Sequence, residues 1–241
     1  MKVEITIPAH NDEATIIDSV NKLLQYCKSN LQAYDYKIIV AENGSKDSTY
    51  TVAEAAFKNN PKVEVLKLAL KGRGRVLMHI WGNSKADISM YMDSDLSTDL
   101  KHTGVLLEKL AKEHYDIAIG SRLLKQSEVK RSFKRELVGR TNVFITRLLL
   151  NSKISDYNCG FKAATYKTIQ QIFPLIHDEQ WKPDGRAWFW DIEFLIMAER
   201  EGLKIYEEPV KWIDDHPTTV KLGQDIKESL QGVFRLMFAK E

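Results

Sequence analysis

The chain has 241 residues, 44% of them hydrophobic and 28% charged, and a formal net charge of +2 at pH 7, a length that buries a substantial core and suits one large α/β domain. No stretch reaches the roughly 18 to 20 apolar residues of a membrane span, and the chain enters a strand-like segment without an apolar leader, so a soluble or peripheral protein is expected. Two cysteines, Cys27 and Cys159, and six scattered histidines show neither metal-ligand spacing nor a disulfide framework, which points to a reducing cytoplasm.

In chain order, "VEITIPA" reads as a strand, "EATIIDSVNKLLQYCKS" as a helix, "YKIIVAE" as a strand, "STYTVAEAAFKNN" as a helix and "KVEVLKL" as a strand. "GRVLMHIWGNS" and "DLKHTGVLLEKLAKE" follow as helices around the strand "DISMYMD", and "DIAIGS" closes the series. Five strands alternating with helices predict a mostly parallel sheet covered on both faces. The second half changes character: from Arg122 to Arg147 there are eight Lys or Arg and two acidic residues. Then come "SDYNCGFKA", an aromatic helix start "RAWFWDIEF", a strand pair around "KIYEEPVKW" and a last amphipathic helix, with the loop around Trp181 to Arg186 the best candidate for a flexible segment.

Ligands of open α/β sheets collect at the carboxyl ends of the strands. The polar clusters fall there: "PAHNDE" after the first strand, "ENGSKDST" after the second, "DSD" after the fourth and "GSR" after the fifth. Asp93 and Asp95 in "DSD" read either as turn formers, with Asp99 capping the next helix, or as carboxylates that share a hard divalent cation with a diphosphate. Glu42 and Asn43 offer hydrogen bonds to a base or ribose, and Gly44 lets backbone approach. "KGRGR" places Gly72 and Arg73 at a helix start, which suits either an anion site or a solvated loop.

"TIPAHNDEATI", "ENGSKDST", "KGRGR", "DSDLSTD", "GSR", "CGFKA" and "WFWDIEFL", in that order, resemble family 2 glycosyltransferases of the GT-A fold, and "NCGFKA", "RAWFWDIEFL" and "EEPVKW" resemble the acceptor half of the dolichyl-phosphate β-glucosyltransferases. The resemblance implies a single GT-A domain over 1–241, with a nucleotide-sugar half at 1–121 and an acceptor half at 122–241. It places the nucleotide against Pro8, Ala9, Asn11, Glu13, Glu42 and Asn43, and gives Asp93 and Asp95 to Mg²⁺ or Mn²⁺. Arg122, Arg131 and Lys221 fall where similar enzymes hold phosphate groups, Arg131 on the acceptor side. Glu42 and Asn43 stand where the family usually has two acidic residues.

Inverting, metal-dependent transfer of a hexose to polyprenyl phosphate is therefore expected, with UDP-glucose ahead of GDP-mannose as donor. A lipid phosphate is already largely a dianion at pH 7 and needs no strong base. A hydroxyl acceptor would need one, and Asp191 then reads either as that base or as a helix cap. Leu137, Thr141, Phe144, Ile145 and Leu148, and Ile226, Leu230, Val233, Phe234 and Met237, form stripes that suit either burial against the sheet or contact with the cytoplasmic face of a membrane. A nucleotidyltransferase would carry Gly and Arg directly after the first strand, where "PAHNDE" has neither. RNA binding would explain the basic segment but not the carboxylate pair, and no nucleic-acid partner is expected.

Overall fold

A computed structural model describes residues 1–69, 72–176, 189–213 and 222–238, and of residues 133–135 and 222–229 the backbone alone. The expected strands and helices of the first half all form: β1 (Lys2–Ala9), α1 (Ile16–Asn30), β2 (Asp35–Glu42), α2 (Thr49–Phe57), β3 (Val63–Lys67), α3 (Arg73–Asn83), β4 (Ile88–Met92), α4 (Lys101–Ala111) and β5 (Ile117–Ser121). There follow β6 (Glu128–Lys130), α5 (Phe133–Leu150), β7 (Phe161–Thr165), α6 (Tyr166–Ile172), α7 (Trp190–Arg200), β8 (Ile205–Pro209), β9 (Lys211–Ile213) and α8 (Leu222–Phe238).

Seven strands make one sheet in the order β3-β2-β1-β4-β7-β5-β8. It is parallel except for β7, which runs antiparallel between β4 and β5. The anticipated strand pair near the end does not pair with itself: β8 joins β5 in the large sheet, while β9 pairs with β6. Pro209 has no N–H to give a ladder, and the chain changes sheets there.

Strand alternation sends side chains to two cores. Val3, Ile5, Ile38, Val40, Ile88 and Met90 pack with α1, α2 and α4. On the other face Ile39, Ala41, Tyr91, Ile117 and Ile119 meet α3, α6, α7 and the buried side of α8. Trp81, Tyr91, Trp190 and Phe194 form an aromatic cluster there, with Trp190 and Phe194 stacked at 5.2 Å. Asp191 projects from α7 beside this cluster, and its charge must be answered locally.

Candidate functional site

At the carboxyl end of β1, Pro8 and Ala9 pair in register with Ala41 and Glu42 at the end of β2. Beyond them the two loops are zipped together. Asn11, at φ 59°, accepts from the Lys46 N–H through Oδ1 at 2.8 Å, and Glu13 Oε2 accepts from the Ser48 N–H at 2.8 Å. Glu42 and Asn43 are buried, and Glu42 Oε1 accepts from the Ser45 N–H. These residues, expected to face a nucleotide, thus brace the walls of the crevice, with Glu42 closing its own turn.

β4 ends in the carboxylate pair. The Asp93 N–H donates to the Gly160 carbonyl at 3.0 Å, and Leu96, at φ 50°, closes the turn back onto Asp93. Asp95 Oδ1 accepts from the Ser97 N–H at 2.9 Å, and Ser94 donates to Asp12 at 2.9 Å. Gly160 is required by space: a Cβ there would lie 1.9 Å from Asp93 Oδ2. Burial pushes the Asp93 carboxyl above its usual value; Arg73 pulls it down, and Asp95 and Asp191 push it up again. Hard oxygen donors on one turn, with Asp93 destabilised as an anion chiefly by burial, fit Mg²⁺ or Mn²⁺, which take one or two carboxylates and complete their shell with phosphate oxygens and water. Among the described residues no group of three or more His, Cys, Asp or Glu forms a metal cage. Asp99, read as a cap, lies one residue before the N-cap position, which is Leu100, and its Oδ1 accepts from the Lys101 N–H at 3.0 Å.

Gly72, at φ 103°, turns the chain into α3, so that Arg73 reaches across the sheet. Its Nη1 donates to Asp93 at 3.3 Å and its Nη2 to Asp191. Asp191 is neither a cap nor open to solvent. Tyr91 and Lys162, cross-strand partners in β4 and β7, both donate to its Oδ1, Lys162 at 2.7 Å. Lys162 also donates to the Cys159 carbonyl. Burial alone would push the Asp191 carboxyl up, but Arg73 and Lys162 outweigh it and hold the group below its usual value.

Arg122, expected to hold a phosphate, has a carboxylate partner within the protein. Its Nε and Nη2 form a fork on buried Asp156 at 2.7 and 2.9 Å, and its guanidinium lies over the Trp212 ring at 5.5 Å. Arg131 lies two residues before α5, and its Nε donates to Glu136 in the first turn of that helix at 2.5 Å. Lys221 and the 181–186 loop lie outside the described residues. The structure therefore brings Arg73, Asp93 and Asp191 into direct contact and holds Arg122 and Arg131 through other carboxylates. Sequence reasoning missed Tyr91, Lys162 and Asp156. Lys162 left a readable signal, a lone cation within the buried run "FKAA".

The expected apolar stripes divide. On α5, Leu137, Phe144 and Leu148 are 56, 66 and 70% exposed, while Val143 is buried. On α8, Phe234, Met237 and Phe238 are exposed and Val233 and Leu236 buried, so the stripe that grouped Val233 with Phe234 spans two faces; Ile226's side chain is outside the described residues. The two helices pack together. Among the described residues no helix is long and apolar enough to cross a membrane.

Residues 4–184 match the family described as Glycosyl transferase family 2. Glycosyltransferase AglD of Haloferax volcanii is 32% identical over 94% of this chain, which spans only 35% of that protein. Dolichyl-phosphate beta-glucosyltransferases of Dictyostelium discoideum and Homo sapiens are 28% and 29% identical over 93% and 88% of this chain, and 72% and 68% of theirs. A solved structure of glucosyl-3-phosphoglycerate synthase from Mycobacterium tuberculosis, in complex with Mn²⁺, UDP-glucose and phosphoglyceric acid, is alike in fold, with TM-score 0.68 and 19% identity over 100% of this chain and 81% of that one. The mostly parallel sheet of this GT-A architecture, the carboxylate pair at the end of β4 and a match over more than half the sequence agree: the chain belongs to the family 2 glycosyl transferases.

Proposed function

We propose that the protein transfers glucose, with inversion, from UDP-glucose to a polyprenyl phosphate of the dolichyl type. The observation that carries the acceptor class is the state of Asp191. A general base needs a free lone pair and a pKa near the working pH. Asp191 instead accepts from Tyr91, Lys162 and Arg73 and is held ionised well below that range. A hydroxyl acceptor would require it to take a proton; a phosphomonoester arrives already ionised. The donor rests on the printed names of the relatives and on the UDP-glucose in the structural neighbour.

In this reading Asp93 and Asp95 hold Mg²⁺ or Mn²⁺, which when bound supplies positive charge against the departing diphosphate. Asp191 anchors Arg73 so that its guanidinium stays beside Asp93, where negative charge develops on the leaving group. Pro8, Ala9, Asn11, Glu13, Glu42 and Asn43 shape the nucleotide crevice, and Arg131 and Lys221 receive the acceptor phosphate. Arg122, bound to Asp156, orders the loop after β5.

The exposed apolar residues of α5 and α8, with Arg140 and Arg147 beside them, rest on the membrane that holds the acceptor. Cys27 and Cys159 are buried free thiols, which suits the cytoplasmic face. The test is transfer of radiolabelled sugar from UDP-glucose and GDP-mannose to a short polyprenyl phosphate and to hydroxyl acceptors. Divalent-dependent glucosylation of the phosphate is expected. Preference for GDP-mannose would overturn the donor, and efficient transfer to a hydroxyl alone would overturn the acceptor.

A further inference from the structure

Between the loop after β5 and the first turns of α5 lies a cavity of about 470 Å³ bordered by Arg122, Lys125, Ser127, Glu136 and Arg140. Glu136 sits at its centre of charge. One oxygen accepts from Arg131 Nε and the other from Arg140 Nε, both at 2.5 Å. Burial favours the protonated form of Glu136, but the two guanidinium groups outweigh it and keep the carboxylate ionised. Arg131 is 8% exposed in its side chain, and its Nη2 is buried without an acceptor.

The donors outnumber the oxygens. Nε and Nη2 of an arginine form one edge that a carboxylate or phosphate ordinarily fills with two oxygens. Glu136 gives one oxygen to Arg131 and the other to Arg140, so the Arg131 edge is half filled. Charge is unbalanced in the same direction. With Arg122 matched by Asp156, Arg131 and Arg140 share the single carboxylate of Glu136, a surplus of one positive charge among these described side chains, and Lys125 borders the same cavity. A phosphomonoester brings close to two negative charges and three acceptor oxygens, the number needed to fill Nε and Nη2 of Arg131 and reach Arg140.

We propose that Glu136 is a stand-in anion, which holds Arg131 and Arg140 together until the phosphomonoester acceptor displaces it, and that Arg140 is a ligand of that phosphate. The inference rests on the acceptor class proposed above. It also places the phosphate on the helix that carries exposed Leu137, Phe144 and Leu148, so that an attached prenyl chain leaves along an apolar ridge. Glu136 in this role sets selectivity: a neutral headgroup does not displace it, because nothing then neutralises the two arginines.

Calorimetry with inorganic phosphate and with a ten-carbon prenyl monophosphate, on the full chain with UDP and Mn²⁺ present, tests the proposal. Removing the competing carboxylate in Glu136→Gln should tighten both anions by about tenfold, and Arg140→Gln should weaken them by about tenfold, a charged hydrogen bond each. UDP affinity and Tm should stay near those of the native protein. Glu136→Asp, too short to bridge both arginines, should move in the same direction as Gln and serves if Gln impairs folding. Equal or weaker anion binding in a folded Glu136 variant, or an unchanged Arg140→Gln, overturns the proposal. If the anion pattern holds but no glucose reaches the prenyl monophosphate, the stand-in role survives and the proposed acceptor falls.

Discussion

Lys162 Nζ lies 2.7 Å from Asp191 Oδ1, and the two side chains are 0 and 1% exposed. The pair joins β7, beside the strand that ends in Asp93 and Asp95, to α7, in surroundings where an unpaired charge is costly. Lys162→Met should therefore destabilise the protein, but by less than about 3 to 5 kcal/mol, the cost of a fully stranded buried charge, because Arg73 and Tyr91 still hold Asp191. Urea denaturation checks this, and adding Asp191→Asn should add to the loss, because Arg73 then loses its ion pair with Asp191.

Acid should act through the same group. Asp191 and Asp156 are both held below the usual carboxylate range, against burial, by Arg73 and Lys162 in one case and Arg122 in the other. A carboxylate depressed in the folded state contributes its stabilisation fully above the unfolded pKa, near 4, and loses it as pH falls through the folded value. Denaturation midpoints for these groups should be level from pH 7 to about 5 and fall below about 4. Asp156→Asn should show a shallower acid limb.

Asp95→Asn should abolish divalent-dependent binding of UDP while leaving the fold intact, since Asp95 is exposed and among the described residues its carboxylate braces Ser97 alone. In the native protein, UDP with Mn²⁺ at about 100 times its Kd should add about 2.7 kcal/mol of stability, and the variant should show none of this in thermal scans. Turnover should fall by several orders of magnitude, each tenfold being about 1.4 kcal/mol of barrier.

Gly160→Ala should injure catalysis without touching a ligand, because its Cβ would lie 1.9 Å from Asp93 Oδ2 and force that carboxylate aside. A displacement of this kind costs about 10²-fold in kcat/KM. Steady-state kinetics should show the loss, with far-UV circular dichroism unchanged.

Phe144→Ser with Phe234→Ser should weaken association with anionic vesicles. Each ring, 66 and 51% exposed, contributes about 1.5 to 3 kcal/mol when it enters an apolar phase, so flotation should drop by about tenfold or more per residue. Binding that survives the double substitution and ignores salt would place the membrane contact elsewhere.

β1 to β5 were legible because each is a short apolar run bounded by turn residues and separated from the next by a helical pattern. β7 was not. "FKAAT" is short, carries a lysine at its centre and is a strand because β4 and β5 leave a gap that only an antiparallel return fills. Without that pairing, Tyr91 and Lys162 have no reason to meet, and the setting of Asp191 stays hidden. β6 is three residues with charges at both ends and exists through Trp212 and its neighbours in β9. The carboxylate pair, by contrast, announced itself by position at a strand end, whereas Arg122 gave no sign that Asp156 would claim it.

The antiparallel return also bears on how the protein is made. Met92 pairs with Phe161, and the Asp93 N–H is satisfied by the Gly160 carbonyl. On the ribosome, β4 and the acidic turn emerge long before their neighbour does. Until Phe161–Thr165 has cleared the exit tunnel, β4 presents a bare hydrogen-bonding edge and β5 another, the kind of surface that chaperones hold and aggregates exploit. A chain stalled before that point would carry the acidic turn but leave it unanchored, so Asp93 and Asp95 become fixed only once translation is well into the second half.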